Sequence, residues 1–506
     1  MTTAEPRAGV ASGHPCVTDA ARAILQAGGN AFDAAVAGGF AAAVAEPTLT
    51  SLGGGGFMLA RTASGTTILF DFFVDTPGRG LAKGELEPHF VPVTVRFPSS
   101  EQMFNVGLGS AAVPGNLRGF LHVHRRLGSL PLRDVLAPAL RLAREGLTVN
   151  AHQGYFLDLL RPIMTLTPAG RALFEPGGRY LVPGDRCANP ALVAFLETLP
   201  RDGEREFYEG AIAQGIAEDM RQGQGLITLD DMTAYRVIER QPLDVTYRNH
   251  RLMTNPPPSF GGALIGLSLQ LLEAQEFSAT APGSAAHLAA LVAVMQEVDQ
   301  LRRQDYLASP ELSAHELAEG RSRVRRRASG GTTHLSVCDR WGNVASMTTS
   351  NGEGSGYIAS DTGIMLNNMM GEDDLHPDGF HAAPPGVRVA SMMAPSLLLR
   401  DGRVRLVIGS GGSKRIRTAM MQVLSHTVDF GMSLRDAVRT PRLHWDGAHL
   451  QAEPGFSEGA LQAIEQHWPL NRWAVQDVYF GGVNAVSPLG RAEADPRRGG
   501  SACLVD

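Results

Sequence analysis

The pattern of hydrophobic and polar positions predicts mainly helices before residue 305 and mainly strands after residue 331. The apolar stretch 18–45 is interrupted at 28–30, which predicts two helices. Asp33 then lies in the first turn of the second helix, where an acidic side chain suits the helix dipole. The other elements predicted in this part are strands at 57–61 and 67–73, helices over 117–145 with a break near Gly128 and Pro131, and mostly helix over 150–305.

Beyond residue 331, alternating polar and apolar residues predict a hairpin. Residues 332–339 and 344–350 read as strands, and 340–343 as the turn between them. In this register Asp339 lies opposite Val344 and Thr332 opposite about Asn351, so we expect the hydroxyls of Thr348 and Ser350 near Thr332. The remaining predicted elements are strands at 396–399 and 404–408 and helices at 416–430 and 434–439. Runs of helices and runs of strands indicate a layered α+β fold.

The composition is that of a globular protein without an obvious charged partner. Of the 506 residues, 43% are hydrophobic and 19% charged, and the net charge of −6 argues against binding to nucleic acid or anionic membranes. The four cysteines lie far apart, which argues against a zinc site or a disulfide framework and favours a reducing compartment. Neither an apolar leader segment nor an apolar stretch of membrane-spanning length is visible, so we predict a cytoplasmic location.

A polar segment precedes the hairpin. Residues 308–331 contain a basic run at 321–327 and end in Ser-Gly-Gly, which predicts a linker or an exposed loop. A short basic run in an acidic protein is more typical of a solvated segment than of a phosphate site.

The stretch GGTTHLSVCD (330–339) places two glycines directly before a hydroxyl residue. Taken alone, it is typical of a Thr-rich strand. A threonine at a chain N-terminus, however, has its own α-amine as a base, with a pKa of about 7.7–8.0. Such a terminus requires cleavage of the Gly331–Thr332 bond, and Gly331 has no side chain to block attack of the Thr332 hydroxyl on its carbonyl.

Two other stretches offer chemistry. Gly411 and Gly412 follow a predicted strand and precede a helix, so their N–H groups could bind an anion or an oxyanion, although a tight turn explains them equally well. The phosphate-loop pattern is not matched there. The acidic group Glu372, Asp373 and Asp374 could hold an ammonium group or a cation, or could be a solvated loop. The histidines lack ligand spacing, so no metal is predicted.

Together these stretches resemble the γ-glutamyltransferase (γ-glutamyltranspeptidase) family of N-terminal-nucleophile hydrolases, in family order and over nearly the whole chain. The matching motifs are GGNAFDAAVA (28–37), EPTLTSLGGGGFML (46–59), AVPG (112–115), TTHLSVCDRWGN (332–343), DTGIMLNNMM (361–370), APS (394–396), GSGGS (409–413) and TPRLH (440–444). The resemblance implies a four-layer αββα sandwich. It also implies a precursor that cleaves itself before Thr332 into a large chain, 1–331, and a small chain, 332–506, which stay together as one catalytic unit.

The resemblance also implies roles position by position. Thr332 would be the nucleophile and its amine the general base. The hydroxyls of Thr348 and Ser350 would orient the nucleophile, and Gly411 and Gly412 would form the oxyanion hole. Glu372 would bind the substrate α-amine and Ser391 its carboxylate. The family has an asparagine at the position of Gly352, and Asn351 stands next to that position. No cofactor or metal is implied, and the implied partners are a small-molecule amide and the two chains of the precursor.

Three substrate positions depart from the family pattern. Phe73 stands where the family has an arginine that holds the γ-glutamyl α-carboxylate, Met392 replaces a serine, and Met369 replaces a glutamine. A bidentate Arg–carboxylate contact is among the stronger polar interactions, so its replacement by a ring predicts weaker γ-glutamyl recognition.

The sequence therefore predicts a self-processing, γ-glutamyltransferase-like enzyme that cleaves γ-glutamyl amides through an acyl-Thr intermediate and passes the acyl group to water or an amine. Two alternatives stay open. One is an acylase or small-amide hydrolase with a different acyl group, which the apolar Phe73 and Met392 would suit. The other is an unprocessed, non-catalytic relative that binds a metabolite.

Overall fold

The structure, a computed structural model, describes residues 5–82, 84–97, 100–277, 280–303, 331–376 and 379–506. The predicted basic run, and all of the predicted linker except Gly331, lie outside the described residues. The helices of the described part are α1 Pro15–Gln26, α2 Ala31–Ala45, α3 Asn116–Leu127, α4 Leu132–Glu145, α5 Ala151–Met164, α6 Pro168–Phe174, α7 Pro190–Asp202, α8 Arg205–Tyr208, α9 Ala211–Gln222, α10 Leu229–Ala234, α11 Phe260–Glu273, α12 Ala285–Arg303, α13 Arg415–Val428, α14 Leu434–Arg439 and α15 Glu458–Glu465.

The strands of the described part are short, and most are buried. They are β1 Ala8–Ser12, β2 Gly55–Arg61, β3 Thr67–Phe72, β4 Val91–Phe97, β5 Ser100–Val106, β6 Leu147–Thr148, β7 Arg186–Cys187, β8 Ile238–Arg240, β9 Leu243–Tyr247, β10 His250–Thr254, β11 Thr333–Cys338, β12 Val344–Ser350, β13 Ile358–Ala359, β14 Ile364–Met365, β15 Ser396–Arg400, β16 Arg403–Gly411, β17 Leu443–Trp445, β18 Leu450–Ala452, β19 Leu470–Arg472, β20 Gly482–Ser487, β21 Arg491–Glu493 and β22 Ser501–Val505.

Two antiparallel sheets face each other at the centre of the molecule. The first has the strand order β22-β1-β11-β12-β2-β3-β8, and the second has the order β21-β20-β16-β15-β10-β9. Helix α2 packs on β11 and β12 of the first sheet, while α13 packs on β16 and β20 of the second. Strand β11 contacts both β16 and β20 across the interface between the sheets. These contacts confirm the predicted αββα sandwich.

The helix pair at the N-terminus follows the predicted pattern. Asn30 caps α2 by accepting the N–H groups of Phe32 and Asp33, and the Asp33 carboxylate accepts the Asn30 N–H in return. This reciprocal capping fixes where α2 begins. Because α2 lies between other helices and the first sheet, nearly all of its residues are buried.

Mostly helix was predicted for 150–305, and this prediction missed β7, β8, β9 and β10. Strand β8 is the last strand of the first sheet, and β9 the last of the second. Edge strands of three to five residues carry too few alternating positions to stand out from the surrounding helical pattern.

None of the described helices combines the length and apolar character needed to cross a bilayer.

Both faces of β11 are buried, and they differ in chemistry. Leu335 and Val337 pack into the apolar layer that contains α2. On the opposite face, the Ser336 hydroxyl donates to the Asn484 carbonyl of β20, and the Asn484 side chain donates to the His334 carbonyl. The alternation in the sequence therefore separates an apolar face toward the helices from a hydrogen-bonded face toward the second sheet.

The predicted hairpin register was wrong by one residue. Cys338, not Asp339, pairs with Val344, and Thr333 pairs with Thr349. Asp339 belongs to the loop, because its carboxylate accepts the N–H groups of Trp341 and Asn343 and so cannot take a strand position. The shift places Thr332 next to Ser350 across the hairpin instead of Asn351.

Asp339 also ties the hairpin to the helical layer. Its Oδ2 accepts the N–H of Ala31, the first residue of α2, and the side-chain amide of Asn343. In an asparagine at position 339, an N–H₂ group would replace one of the two carboxylate oxygens. That group cannot accept the hydrogen bonds that the oxygen accepts now. We expect Asp339→Asn to lower the free energy of unfolding by about 3 kcal/mol, because hydrogen bonds to a charged group are lost inside the protein.

Urea unfolding measures this loss. The matched control is Asp401→Asn in the exposed turn between β15 and β16, which should change the free energy of unfolding by less than about 0.5 kcal/mol. Equal effects of the two substitutions would contradict the role given to Asp339.

Candidate active site

The ends of four strands meet at one small cavity. Phe73 follows β3, Thr332 precedes β11, Ser350 ends β12, and Ser413 lies two residues beyond β16. The cavity has a volume of about 30 Å³, room for about one water molecule. Its lining includes the predicted site residues Phe73, Thr332, Ser350, Glu372, Ser391 and Met392, together with Met369. The other described lining residues are Leu375, Met393, Ser413 and Ile416.

The Ser350 hydroxyl lies between Thr332 and the bond that precedes it. The Oγ of Ser350 is 3.4 Å from Thr332 Oγ1 and donates to the carbonyl oxygen of Gly331. It also accepts the Gly352 N–H at 3.0 Å, which fixes its orientation. Thr332 and Ser350 are both at least 95% buried. Two hydroxyl groups and a hydrogen-bonded peptide carbonyl therefore lie together in one buried space.

Glycine is required where two segments approach this space. A Cβ at Gly411 would lie 2.3 Å from the Thr332 carbonyl oxygen, and a Cβ at Gly54 would lie 2.2 Å from the Ser350 carbonyl oxygen. Gly412 has a φ of +117°. Of the two glycines predicted for an oxyanion hole, Gly411 thus lies directly against the main chain of Thr332, and Gly412 follows it beside Gly481 and Arg498.

Five predicted residues are not among the described residues that line the cavity: Gly331, Thr348, Asn351, Gly411 and Gly412. The Thr348 hydroxyl is 2.8 Å from Nδ1 of His334, between the two sheets, and burial lowers the pKa of that imidazole to about 3. Asn351 lies next to Ser350, and its N–H donates to the Leu49 carbonyl. Its Oδ1 is buried and has no hydrogen-bond partner within the described chain.

Two charged groups near Thr332 were missed in the sequence. The buried Arg498 donates to the Thr332 carbonyl at 3.3 Å, and burial lowers the pKa of its guanidinium to about 10. Both carboxyl oxygens of Glu46 are 3.0 Å from the Thr333 hydroxyl, and burial raises the pKa of Glu46 to about 7. Arg498 follows another arginine in DPRRGG, and nothing in that spacing distinguishes it.

The described lining of the cavity offers no cationic group to a substrate carboxylate. None of its described lining residues is a lysine or arginine. The Phe73 ring stacks on Phe57 at 5.4 Å between centroids. Arg388 reaches the Phe73 carbonyl, but its guanidinium is paired with Asp71 at 3.3 Å and Asp75 at 3.2 Å.

A second acid, Glu353, lies beside the predicted Glu372. The Glu353 carboxyl accepts the Asn368 side-chain amide at 3.3 Å and a hydrogen bond from the backbone of Gly331. Burial raises the pKa of Glu353 to about 8. Burial and repulsion from Glu353 and Asp374 raise the pKa of Glu372 well above its usual range. Glu353 was missed because it stands between glycines in NGEGSG, outside any periodic pattern.

Among the described residues, no group of three His, Cys, Asp or Glu side chains is arranged to hold a metal.

A comparison with known families agrees with this arrangement: the gamma-glutamyltranspeptidase profile matches residues 17–505. The chain belongs to the γ-glutamyltranspeptidase family. The chain is 32% identical to the glutathione hydrolase proenzyme of Escherichia coli (strain K12), over 90% of this chain and 84% of that protein. It is equally 32% identical to the acylase ACY 1 proenzyme of Pseudomonas sp. (strain SE83), over 90% of this chain and 85% of that protein.

The γ-glutamyltranspeptidase family assignment confirms the predicted family and enzyme class. The protein is an amidohydrolase or acyltransferase of the N-terminal-nucleophile hydrolase type. A solved cephalosporin acylase from Bacillus halodurans has the same fold, with a TM-score of 0.83 at 24% identity, covering 99% of this chain and 96% of that one. Relatives named as glutathione hydrolase and as acylase match equally well, so family membership leaves the acyl group open.

The pair of buried acids makes stability depend on pH. Glu353 stays protonated in the folded protein up to about pH 8, whereas in the unfolded chain it ionises near its ordinary value of 4.5. The unfolded state therefore binds fewer protons, and this group's stabilising contribution is lost as the pH rises from about 5 to 8. We expect Glu353→Gln to flatten the decline of the melting temperature over that range. Scanning calorimetry at several pH values measures it, and parallel declines in both proteins would contradict the raised pKa.

Proposed function

We propose that this protein is a self-processing amidohydrolase in which Thr332, released as an N-terminus, forms an acyl-Thr intermediate with an amide substrate. The observation that carries the proposal is the Ser350 hydroxyl, placed 3.4 Å from Thr332 Oγ1 and hydrogen bonded to the Gly331 carbonyl. Family membership supports it, because the E. coli and Pseudomonas relatives are both named as proenzymes.

Self-cleavage would begin with attack of Thr332 Oγ1 on the Gly331 carbonyl carbon. The oxygen of that carbonyl gains negative charge, and the Ser350 hydroxyl that donates to it stabilises the charge. Collapse transfers the Gly331 acyl group from the nitrogen to the Oγ of Thr332, and the nitrogen takes a proton to become an amine. Water then hydrolyses the ester, which leaves a carboxylate on Gly331 and a free hydroxyl on Thr332.

In turnover, the free amine of Thr332 would accept the hydroxyl proton as Oγ attacks the substrate carbonyl. The oxyanion forms near the turn that begins at Gly411 and Gly412, whose N–H groups we propose as its donors. The amine then protonates the leaving nitrogen, and water or an acceptor amine takes the acyl group from Thr332. No step requires a cofactor.

The large chain, 1–331, and the small chain, 332–506, would remain one catalytic unit after cleavage. In the first sheet β1 from the large chain lies between β22 and β11 of the small chain, and β12 of the small chain pairs with β2 of the large chain. Separating the two chains therefore requires breaking the sheet itself.

For the acyl group, the cavity favours the acylase alternative over a γ-glutamyl substrate. The ring of Phe73 and the side chain of Met392 occupy positions where a carboxylate grip was expected, and no cationic side chain is among the described lining residues. A buried carboxylate without a cationic partner is strongly disfavoured. The relative named acylase ACY 1 supports the same choice.

The first test removes the nucleophile. Thr332→Val keeps the shape of the side chain but not the hydroxyl, and it should abolish both cleavage and amide turnover. Thr349→Val is the matched control, because Thr349 is equally buried on β12 but accepts a hydrogen bond from Thr50. Gel electrophoresis should show two bands for the wild type and the control, and N-terminal sequencing should start the smaller one at Thr332. A single persistent band in the wild type would support the non-catalytic alternative.

The second test concerns the hydroxyl that contacts the Gly331 carbonyl. Ser350→Ala should slow cleavage by about 10²–10³-fold, the usual cost of removing one donor to a developing oxyanion. Ser346→Ala on the same strand removes a buried hydroxyl that contacts the Ile408 carbonyl instead, and it should cleave at nearly the wild-type rate. The rate constants come from time courses of freshly refolded protein, and equal rates for the two variants would refute this role of Ser350.

A further inference from the structure

We propose that Glu46, in the large chain, is a positioning residue for the new N-terminus: its side chain holds Thr333 and thereby keeps Thr332 in place for turnover. This inference rests on the proposed function and deepens it. It concerns a residue that is not among the described lining residues of the cavity and whose role the resemblance does not imply.

Strand β1 ends before it reaches the start of β11. The last pair between the two strands is Ser12 with Leu335, and at Gly13 the chain turns away toward α1. A Cβ at Gly13 would lie 2.7 Å from Thr333 Oγ1 and 2.8 Å from Oε1 of Glu46. The Glu46 carboxyl therefore lies directly against Thr333, at the point where β1 no longer flanks β11.

Two opposite charges hold successive residues at this chain end. The Thr333 hydroxyl donates to the Glu46 carboxyl, whose two oxygens both lie at 3.0 Å. Glu46 is 4% exposed and Thr333 8%, so water competes little for this contact. An opposite charge, Arg498, acts on the same carboxyl and donates to the Thr332 carbonyl at 3.3 Å. The carboxyl thus holds the side chain of one residue, and the guanidinium holds the main chain of the residue before it.

The main chain of Glu46 is fixed independently of its side chain. Its N–H donates to the Ala42 carbonyl at the end of α2, and its own carbonyl accepts the N–H groups of Leu49 and Thr50. A substitution that changes the side chain alone therefore removes the contact with Thr333 and leaves this turn in place.

Cleavage makes the Glu46–Thr333 contact necessary. Before cleavage the chain continues into Gly331, where a Cβ would lie 2.8 Å from the Thr48 carbonyl oxygen and 2.3 Å from the Gly352 carbonyl oxygen. These close approaches restrain Thr332 through the peptide bond, and they cease to do so when that bond is cut. Loss of the Glu46 contact should therefore affect turnover more than cleavage.

The double substitution Glu46→Leu/Thr333→Val tests the contact without leaving either partner unpaired. Replacing both members of a buried polar pair by apolar side chains is nearly neutral or stabilising, so the melting temperature should fall by no more than about 2 °C. Scanning calorimetry measures it. Gel time courses should show cleavage within about threefold of the wild-type rate, because Gly331 still restrains Thr332 at that stage.

Hydrolysis of 4-nitrophenyl acetate measures turnover by the processed protein, with Thr332→Val as the blank. The Thr332 hydroxyl would attack the acetyl carbonyl, its amine would take the hydroxyl proton, and 4-nitrophenolate would leave. We expect the double variant to lose about 10–100-fold in kcat, the cost of misplacing a reacting group by about 1 Å. KM should stay within about twofold, because Glu46 and Thr333 are not among the described lining residues. A wild-type kcat in the double variant would overturn the proposal.

Two further comparisons separate positioning from structure. Thr333→Ser keeps the hydroxyl and should recover most of the kcat lost in Thr333→Val. Ser12→Ala/Thr18→Val is the matched control, because it removes another buried contact between hydroxyls, 2.7 Å long, at the end of β1, and it should keep the wild-type kcat. Equal losses in Thr333→Ser and Thr333→Val, or a parallel fall of kcat and melting temperature in the double variant, would mean a structural role only and would refute the proposal.

Aminopeptidase digestion separates this proposal from the proposed function, because it reports how firmly Thr332 is held without any turnover. Mass spectrometry of the small chain measures the loss of Thr332 from the native, processed protein. Faster loss in the double variant than in the wild type, with no hydrolysis by the wild type, would support the Glu46–Thr333 contact and count against the hydrolase. Equal loss together with equal hydrolysis in the two proteins would support the hydrolase and overturn the role of Glu46.

Discussion

The pairing of β11 with β12 is the constraint on which the site depends. It places Thr332, just before one strand, next to Ser350 at the end of the other, and it does so only in the register set by the Asp339 loop. A slip of one residue would turn every side chain of a strand to its other face. The hydroxyl face of β11 would then meet the helices and its apolar face the second sheet. The chemistry of the cavity and the packing of the sandwich therefore follow from the same register.

Much of the fold could be predicted because its elements carry strong local signals. The capping residues Asn30 and Asp33 mark the start of α2, and the alternation in β11 and β12 marks two strands. The register was missed by one residue because an aspartate that accepts loop N–H groups looks like a strand residue in a simple alternating pattern. The edge strand β8 was missed because it pairs with the distant β3, which local periodicity does not report, and β9 because its five residues carry too little alternation.

The residues of the candidate site also fall into those that the sequence could predict and those that it could not. Thr332, Ser350, Gly411 and Glu372 were predictable since they belong to motifs of the family. Glu353 and Arg498 were not, and Glu46 was not singled out within its motif, because their importance comes from burial beside residues far away in sequence. Charged residues are rarely buried, and a sequence alone does not show which of them are. The raised pKa values of Glu46 and Glu353 and the lowered pKa of Arg498 are consequences of that burial.

The contact between Arg498 and Thr332 joins residues 166 positions apart. Strand β22, still farther along the chain, pairs with β1 beside β11. During synthesis at about 5–20 residues per second, the ribosome adds Arg498 roughly 10–30 s after Thr332. Throughout that interval the nascent chain holds a threonine whose surroundings are incomplete. A chain that stops before Arg498 and β22 therefore lacks part of the environment of Thr332.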